Sequence, residues 1–379
     1  MKSHLRRPLL LGVSLLLPLA CAFDAQNQQG GGPSGAGNMV FVTGIGGMIG
    51  NPTGIGGAGN MVTSTCGEQV QQANKLPADI LIVLDRSGSM DNDVADKACG
   101  TNKSGGCGTN SKWGLMTPAL KQVVAATDSS VNWGLKFFAD AGDSVCGVNN
   151  SANVTVGSMK SAAVASAIDG QTNAQGGISN GSRTPTRLAI NGAVTYLSGV
   201  KTDNPKYILL ATDGLPNCMP GNSSNTADDS AGAIQAVKDA AAAGIPTFVV
   251  GIATGGSGTA ETTLSSMATA GGYPHAGSPS YYSVSTASEF VTVLQNLVKV
   301  AATCTFAVGN PPTNDGSTSR DRIDLYGDGT LIPKDTSHAN GWDYTDATMT
   351  SVVVYGATCD QIKAGAIHSV SVKFQCIIG

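Results

Sequence analysis

The run Asp79-Ile80-Leu81-Ile82-Val83-Leu84-Asp85 constrains this chain more than any other segment. Consecutive strand residues point to opposite faces, so an unbroken apolar run buries both of them. Such a strand belongs in the middle of a parallel sheet with helices on each side. The chain that follows alternates accordingly. Lys112 to Ala126 carries Trp113, Leu115, Met116, Leu120, Val123 and Val124 at helical spacing, and Val131 to Ala139 reads as a second strand. Asn153 to Gly157 fits a short edge strand, Arg187 to Leu197 a helix, and Tyr207 to Thr212 another buried strand. Ala231 to Ala243 is an Ala-rich helix stopped by Gly244, with Pro246 beyond. Thr247 to Ile252, Thr262 to Ala270, Tyr281 to Val284 and Ser288 to Ala302 complete the series as strand, helix, strand, helix. Alternating strands and helices imply crossover connections, hence an α/β fold: a doubly wound, mostly parallel sheet flanked by helices over residues 76–303.

The alternation stops at Cys304. Short β-like runs at Cys304 to Val308, Arg322 to Leu325, Ser351 to Tyr355 and Ser369 to Cys376 are separated by Gly, Pro, Asn and Asp. They predict a small, β-rich, disulfide-containing appendage over residues 304–379.

The N-terminus reads as an export leader, residues 1–21: Lys2, Arg6 and Arg7 precede the apolar stretch Leu9 to Leu19. That stretch is too short for a stable membrane anchor. Leu19-Ala20-Cys21 resembles the end of a bacterial lipobox, with Pro18 where that motif prefers Leu, and makes Cys21 the lipidation candidate. Ala22 at the next position implies outer-membrane sorting if the source is Gram-negative. The alternative is cleavage after Ala20-Cys21-Ala22, giving a free secreted protein. Either route takes Cys21 out of the pairing pool of nine cysteines and leaves eight, an even set that is the pattern of a disulfide-bonded exported protein. Residues 22–75 read as a Gly-rich tether, in which GAGNMV occurs at 35–40 and again at 57–62. A phosphate loop is excluded there, since no strand precedes the glycines and no Lys-Ser or Lys-Thr follows them. The formal charge of −4 excludes the basic footprint of a nucleic-acid binder. Membrane contact is expected only through a lipid anchor.

Chemistry concentrates at strand ends. Asp85-Arg86-Ser87-Gly88-Ser89 follows the first buried strand, Asp213 ends another, and Thr184-Pro185-Thr186 precedes a helix between them. In a doubly wound sheet the ligand crevice lies at the C-terminal strand ends where the winding reverses. If these segments meet there, two carboxylates and three hydroxyls converge, and a divalent cation offsets the carboxylate repulsion. The donors are all hard oxygens, which favours Mg²⁺, Mn²⁺ or Ca²⁺ over Zn²⁺.

Asp85-x-Ser87-x-Ser89, the Thr-Pro-Thr loop and the strand ending Thr212-Asp213-Gly214 together resemble the von Willebrand factor type A domain with its metal-ion-dependent adhesion site. The resemblance implies Asp85, Ser87, Ser89, Thr184 and Asp213 as the metal set, with Thr184 preferred over Thr186. It also implies a protein partner presenting Asp or Glu to the ion, and binding or assembly rather than catalysis. The chain departs from the family in its additions: Asp91 to Ser111 with Cys99 and Cys107, Gln171 to Arg183, and Pro216 to Asp229 with Cys218. By the same resemblance Cys66 is expected to pair with Cys304 and close the domain ends. Cys99–Cys107, Cys146–Cys218 and Cys359–Cys376 complete that set.

Two other functions stay open at this level. One is a structural envelope protein whose ion only stabilises its loops; the other, more remote, is a hydrolase. Arg86-Ser87-Gly88 is not a nucleophile elbow, and His275, His338 and His368 lie in a loop and the appendage. Asp324 to Gly329 reads as a hairpin turn rather than a calcium loop, because Tyr326 stands where an oxygen ligand is required. Asp91, Asp93 and Asp96 read as solvated loop charges rather than a second cation site, and Trp113 and Trp133 as core.

Overall fold

The computed structural model describes residues 69–99, 106–139, 145–171, 183–254, 258–301, 304–311, 318–364 and 366–376. The leader, Cys21, Cys66 and most of the expected tether lie outside them. The α/β fold is present as expected. Its six-stranded sheet runs in the order β5-β4-β3-β6-β7-β8, from β3 (Ala78–Asp85), β4 (Val131–Phe138), β5 (Val154–Gly157), β6 (Lys206–Thr212), β7 (Thr247–Ile252) and β8 (Tyr282–Val284). All neighbours are parallel except β4 and β5.

The double apolar face of β3 is realised residue by residue. Ile80, Ile82 and Leu84 pack in one core with residues of α1 (Lys112–Thr127), α2 (Ser161–Asp169) and α6 (Ala287–Ala301). Leu81 and Val83 pack in the other, with α3 (Thr186–Gly199), α4 (Ser230–Ala242) and α5 (Gly258–Ala270). Trp113 and Trp133 are buried in the first core. The helix α2 was not anticipated from the sequence.

Residues 69–75 correct the expected tether: they form β1 (Gln69–Gln72) and β2 (Asn74–Lys75). Two four-stranded sheets, β1-β14-β10-β11 and β12-β13-β9-β2, share one apolar core that includes Phe306, Leu325, Trp342, Val352 and Phe374. Their other strands are β9 (Thr305–Ala307), β10 (Thr318–Gly327), β11 (Thr330–Ile332), β12 (Gly341–Tyr344), β13 (Ser351–Tyr355) and β14 (Val370–Cys376). The β-rich unit is therefore built from both sides of the α/β unit. The chain leaves it after β2 and returns at β9, and Leu76 N–H donates to Thr305 O at 2.8 Å where the two passages meet. The turn read at Asp324 to Gly329 is the β10–β11 hairpin, with Asp328 at φ 45° and Gly329 at φ 82°. That is the two-residue Asp-Gly loop whose backbone matches strand twist.

Disulfides Cys99–Cys107 and Cys146–Cys218 form as expected. Cys304 pairs with Cys359, which overturns both Cys66–Cys304 and Cys359–Cys376. The cause is the strand order. Val354 N–H donates to Cys304 O, and β13 runs directly into α7 (Gly356–Lys363), bringing Cys359 to a Cα separation of 5.6 Å from Cys304. The side chain of Cys376 lies outside the description.

Candidate metal centre

The chain runs from β3 to β4 on one side of the sheet and to β6 on the other, so winding reverses between β3 and β6. Asp85 closes β3 one residue beyond the Leu84–Ala211 pair, as Thr212 closes β6, so the two strand ends lie side by side. The Thr212 hydroxyl donates to Asp85 Oδ2 at 2.6 Å, and the Ser87 N–H to Oδ1 at 2.7 Å. A one-turn 3-10 helix (Gly88–Asp91), anchored by the fully buried Met90, turns the chain so that Ser87 Oγ and Ser89 Oγ lie 3.1 Å apart. Ser89 Oγ donates to Asp213 Oδ1 at 2.9 Å. Asp85, Ser87, Ser89 and Asp213 thus form one compact cluster from two strand ends.

Thr184 is tied through its backbone to Asn217, four residues beyond Asp213. Its N–H donates to Asn217 Oδ1 at 2.7 Å, and Asn217 N–H donates back to Thr184 O at 3.0 Å. The loop before α3 is thereby clamped to the loop that begins at Asp213. Thr186 is buried with its hydroxyl turned to Thr184 O, inside its own turn.

Three residues that the sequence reading passed over complete the surroundings. Thr212 and Asn217 hold the ligand candidates in place. Lys112, the first residue of α1, has a side chain only 1% exposed, and its Nζ donates to Asp213 Oδ2 at 2.8 Å and to Asp96 Oδ1 at 2.8 Å. Asp96 is thus an ion-pair partner rather than part of a second cation site. The available signal for Lys112 was a lone cation at the start of an otherwise apolar helix face.

Burial, together with the Asp213 charge, pushes the Asp85 carboxyl up to about 7, against the pull of Thr212 and Ser87. Burial raises Asp213 as well, although Lys112 and Ser89 pull it down. Burial works against the Lys112 ammonium, but Asp213 and Asp96 more than offset it and hold its proton above the ordinary range. The Asp213 and Lys112 shifts favour opposite charge states of one pair, and the geometry decides between them. Both Asp213 oxygens face donors, so the pair is ionised.

This donor set fits a hard divalent ion. The described residues contain no cluster of three or more His, Cys, Asp or Glu, so an ion here would draw on hydroxyls and water besides the two carboxylates. Asp85 supports the fit independently: it is a fully buried carboxylate whose ionisation is suppressed by its surroundings, a cost that a neighbouring cation removes.

The sequence matches the family model of the von Willebrand factor type A domain over residues 79–299. No curated protein matches it. Among solved structures, the pilus adhesin SpaC from Lactobacillus rhamnosus GG is 17% identical at a TM-score of 0.43, covering 80% of this chain and 40% of that one. The PilB minor pilin of Streptococcus sanguinis is 16% identical at 0.41, covering 60% and 62%. The manganese-loaded TRAP protein of Plasmodium vivax is 14% identical at 0.41, covering 61% and 77%. The chain spans about two fifths of the length of SpaC. Likenesses this distant say nothing about ion or partner. The family match covers more than half of the chain and coincides with the doubly wound sheet whose switch point carries the cluster. This chain belongs to the von Willebrand factor type A domain family.

Proposed function

We propose that this is an exported, lipid-tethered binding protein of the cell envelope. Asp85, Ser87, Ser89, Thr184 and Asp213 hold a divalent cation, with Mg²⁺ the first choice, and the ion takes an Asp or Glu side chain of a protein partner. A bound ion would supply positive charge beside two buried carboxylates and an open position for a third. The observation that carries the reading is the cluster Asp85–Ser87–Ser89–Asp213 at the winding reversal, with the Thr184 loop clamped beside it by Asn217.

The rim supports a partner rather than a small ligand. Val94, Val145 and Met219 are exposed at 39%, 36% and 40%, on three loops at this edge of the sheet. Val145 and Met219 flank the Cys146–Cys218 disulfide, and Arg183, next to Thr184, donates its N–H to Val145 O. Apolar side chains held by a disulfide beside a cation suit an acidic segment with apolar neighbours.

Binding rather than catalysis is part of the proposal. His275 contacts Pro279 O in its own loop, His338 pairs with Asp343, and His368 pairs with Asp328 in the β10–β11 turn, so each histidine has a partner outside the cluster. The competing reading, an ion that only stabilises the loops, draws on the complete burial of Asp85. Pull-downs from envelope extracts in Mg²⁺ and in EDTA, with Asp85→Ala as control, separate the two. A partner retained only in Mg²⁺ and only by the unaltered protein supports capture. Metal-dependent melting without any metal-dependent partner supports the structural ion.

A further inference from the structure

We infer that Lys112 is an internal counter-cation of the metal centre, which offsets Asp213 so that a bound divalent ion keeps net positive charge for an acidic ligand. The inference rests on the metal reading of the cluster and concerns a residue outside the ligand set.

The position of Lys112 is unfavourable on its own terms. It opens α1, where the helix macrodipole is positive and repels a cation. Its side chain is 1% exposed, and burial disfavours an ammonium. Two carboxylates hold it there. Asp213 comes from the metal cluster, with its side chain fully buried and its other oxygen bonded to Ser89. Asp96 comes from the insertion, with its side chain 58% exposed. The insertion is itself built to present Asp96. Asn92 Nδ2 donates to Asp96 Oδ1 at 3.0 Å, Lys112 N–H donates to Asn92 O at 2.9 Å, and Cys99–Cys107 closes the loop. Gly114 permits the close packing, since a Cβ there would lie 2.3 Å from Gly108 O.

The consequence follows from counting charge. Asp85 and Asp213 alone would neutralise a divalent ion. With Lys112 paired to Asp213, the ion, Asp85, Asp213 and Lys112 sum to one positive charge. Asp96, also 2.8 Å from Lys112, cancels it formally, but its side chain is 58% exposed and solvent screens it, so the buried part of the loaded centre stays positive. Lys112 therefore lowers affinity for the cation and raises affinity for an incoming carboxylate. A residue that only clips the insertion to the domain would do neither.

The test measures Mn²⁺ binding by calorimetry, then acetate binding to the Mn²⁺-loaded protein, for the unaltered chain, Lys112→Gln and Asp96→Asn. Circular dichroism confirms that each variant is folded. The expected result has opposite signs. Lys112→Gln binds Mn²⁺ on the order of ten-fold more tightly and loses acetate affinity, whereas Asp96→Asn, which leaves the ammonium less compensated, binds Mn²⁺ a few-fold more weakly. Mn²⁺ affinity unchanged or weakened in Lys112→Gln overturns the inference and leaves Lys112 as a clip. If Lys112→Gln does not fold, Asp96→Asn decides alone: weaker Mn²⁺ binding supports the inference, and unchanged or tighter binding overturns it. An unaltered protein that takes up no Mn²⁺ overturns the metal reading itself, and this inference with it.

Discussion

Thr212 and Asp85 meet across the β3–β6 pair, the hydroxyl donating to a fully buried carboxylate at 2.6 Å. The bond joins the two strands between which the winding reverses, so it orders the floor of the candidate centre. Thr212→Val keeps the shape and deletes the donor. Leaving a buried acceptor unpaired costs about 1–3 kcal/mol. Urea denaturation in EDTA is expected to show a loss in that range, and a midpoint equal to that of the unaltered protein would remove the bond from any structural role.

The same carboxylate sets a pH dependence. Asp85 titrates at about 7 in the folded, metal-free protein. An unfolded aspartate titrates near 3.9. Between these values the folded state keeps a proton that the unfolded chain has released. The Asp85 contribution to metal-free stability therefore falls as pH rises across that window. A cation must displace the proton, so Mn²⁺ affinity is expected to climb between about pH 5.5 and 7.5 and then level off. Calorimetry across that range checks it. A flat profile would mean that Asp85 is ionised before the ion arrives.

What the sequence disclosed, and what it did not, has a physical division. The strand β3 was legible because burial on both faces leaves an unbroken apolar run, and Asp85 and Asp213 were legible because strand ends bound such runs. The strands β1 and β2 were not. Gln69–Gln72 and Asn74–Lys75 are short and polar, and their partners β14 and β9 lie beyond the whole α/β unit. Lys112 shows the limit most clearly. The one local mark, a lone cation opening an apolar helix face, does not say what it pairs with, because that partner is Asp213, 101 residues away. The Cys304–Cys359 pair was missed for a similar reason. Closing the domain ends with Cys66 assumed a self-contained α/β unit, whereas this one is inserted into a β-sandwich.

That disulfide gives a direct check on the topology. Non-reducing peptide mapping is expected to recover the segments of Cys304 and Cys359 joined to each other. Replacing both with Ser opens a closure spanning a sequence separation of 55. A loop of that size is worth about 4 kcal/mol in the chain-entropy account. Differential scanning calorimetry of the double variant should show the β-sandwich melting earlier. Cys304 recovered with any other cysteine would contradict the strand order that places it.

The β10–β11 turn makes a prediction at acid pH. Asp328 accepts from the N–H groups of His368 and Ser369 and from the Ser369 hydroxyl, and these bonds hold its carboxyl down at about 2. A depressed acid stabilises above its unfolded pKa and loses that contribution as pH falls toward the folded value. Asp328→Asn keeps a residue that tolerates the positive φ while removing the charge. Its melting temperature should fall below that of the unaltered protein at pH 7, with the gap narrowing from about pH 4 downward. A gap independent of pH would assign the effect to shape rather than charge.

Gly232 tests how the Thr184 loop is supported. Arg187, in the first turn of α3, pairs with Asp229, which precedes α4 and whose N–H donates to Pro216 O. The guanidinium lies against Gly232, where an added Cβ would come within 1.7 Å of it. Arg187 is partly exposed and can swing outward, but the Asp229 side chain is 1% exposed and would be left buried without its cation. Stranding one partner of a buried pair costs about 3–5 kcal/mol. Gly232→Ala is therefore expected to destabilise by up to that amount, and to weaken Mn²⁺ binding because Pro216 and Asn217 lie on the segment that clamps Thr184. Adding Asp229→Asn to the variant removes the stranded charge and should recover much of the stability. Failure of that second change to recover any would show that the glycine serves backbone packing rather than the ion pair.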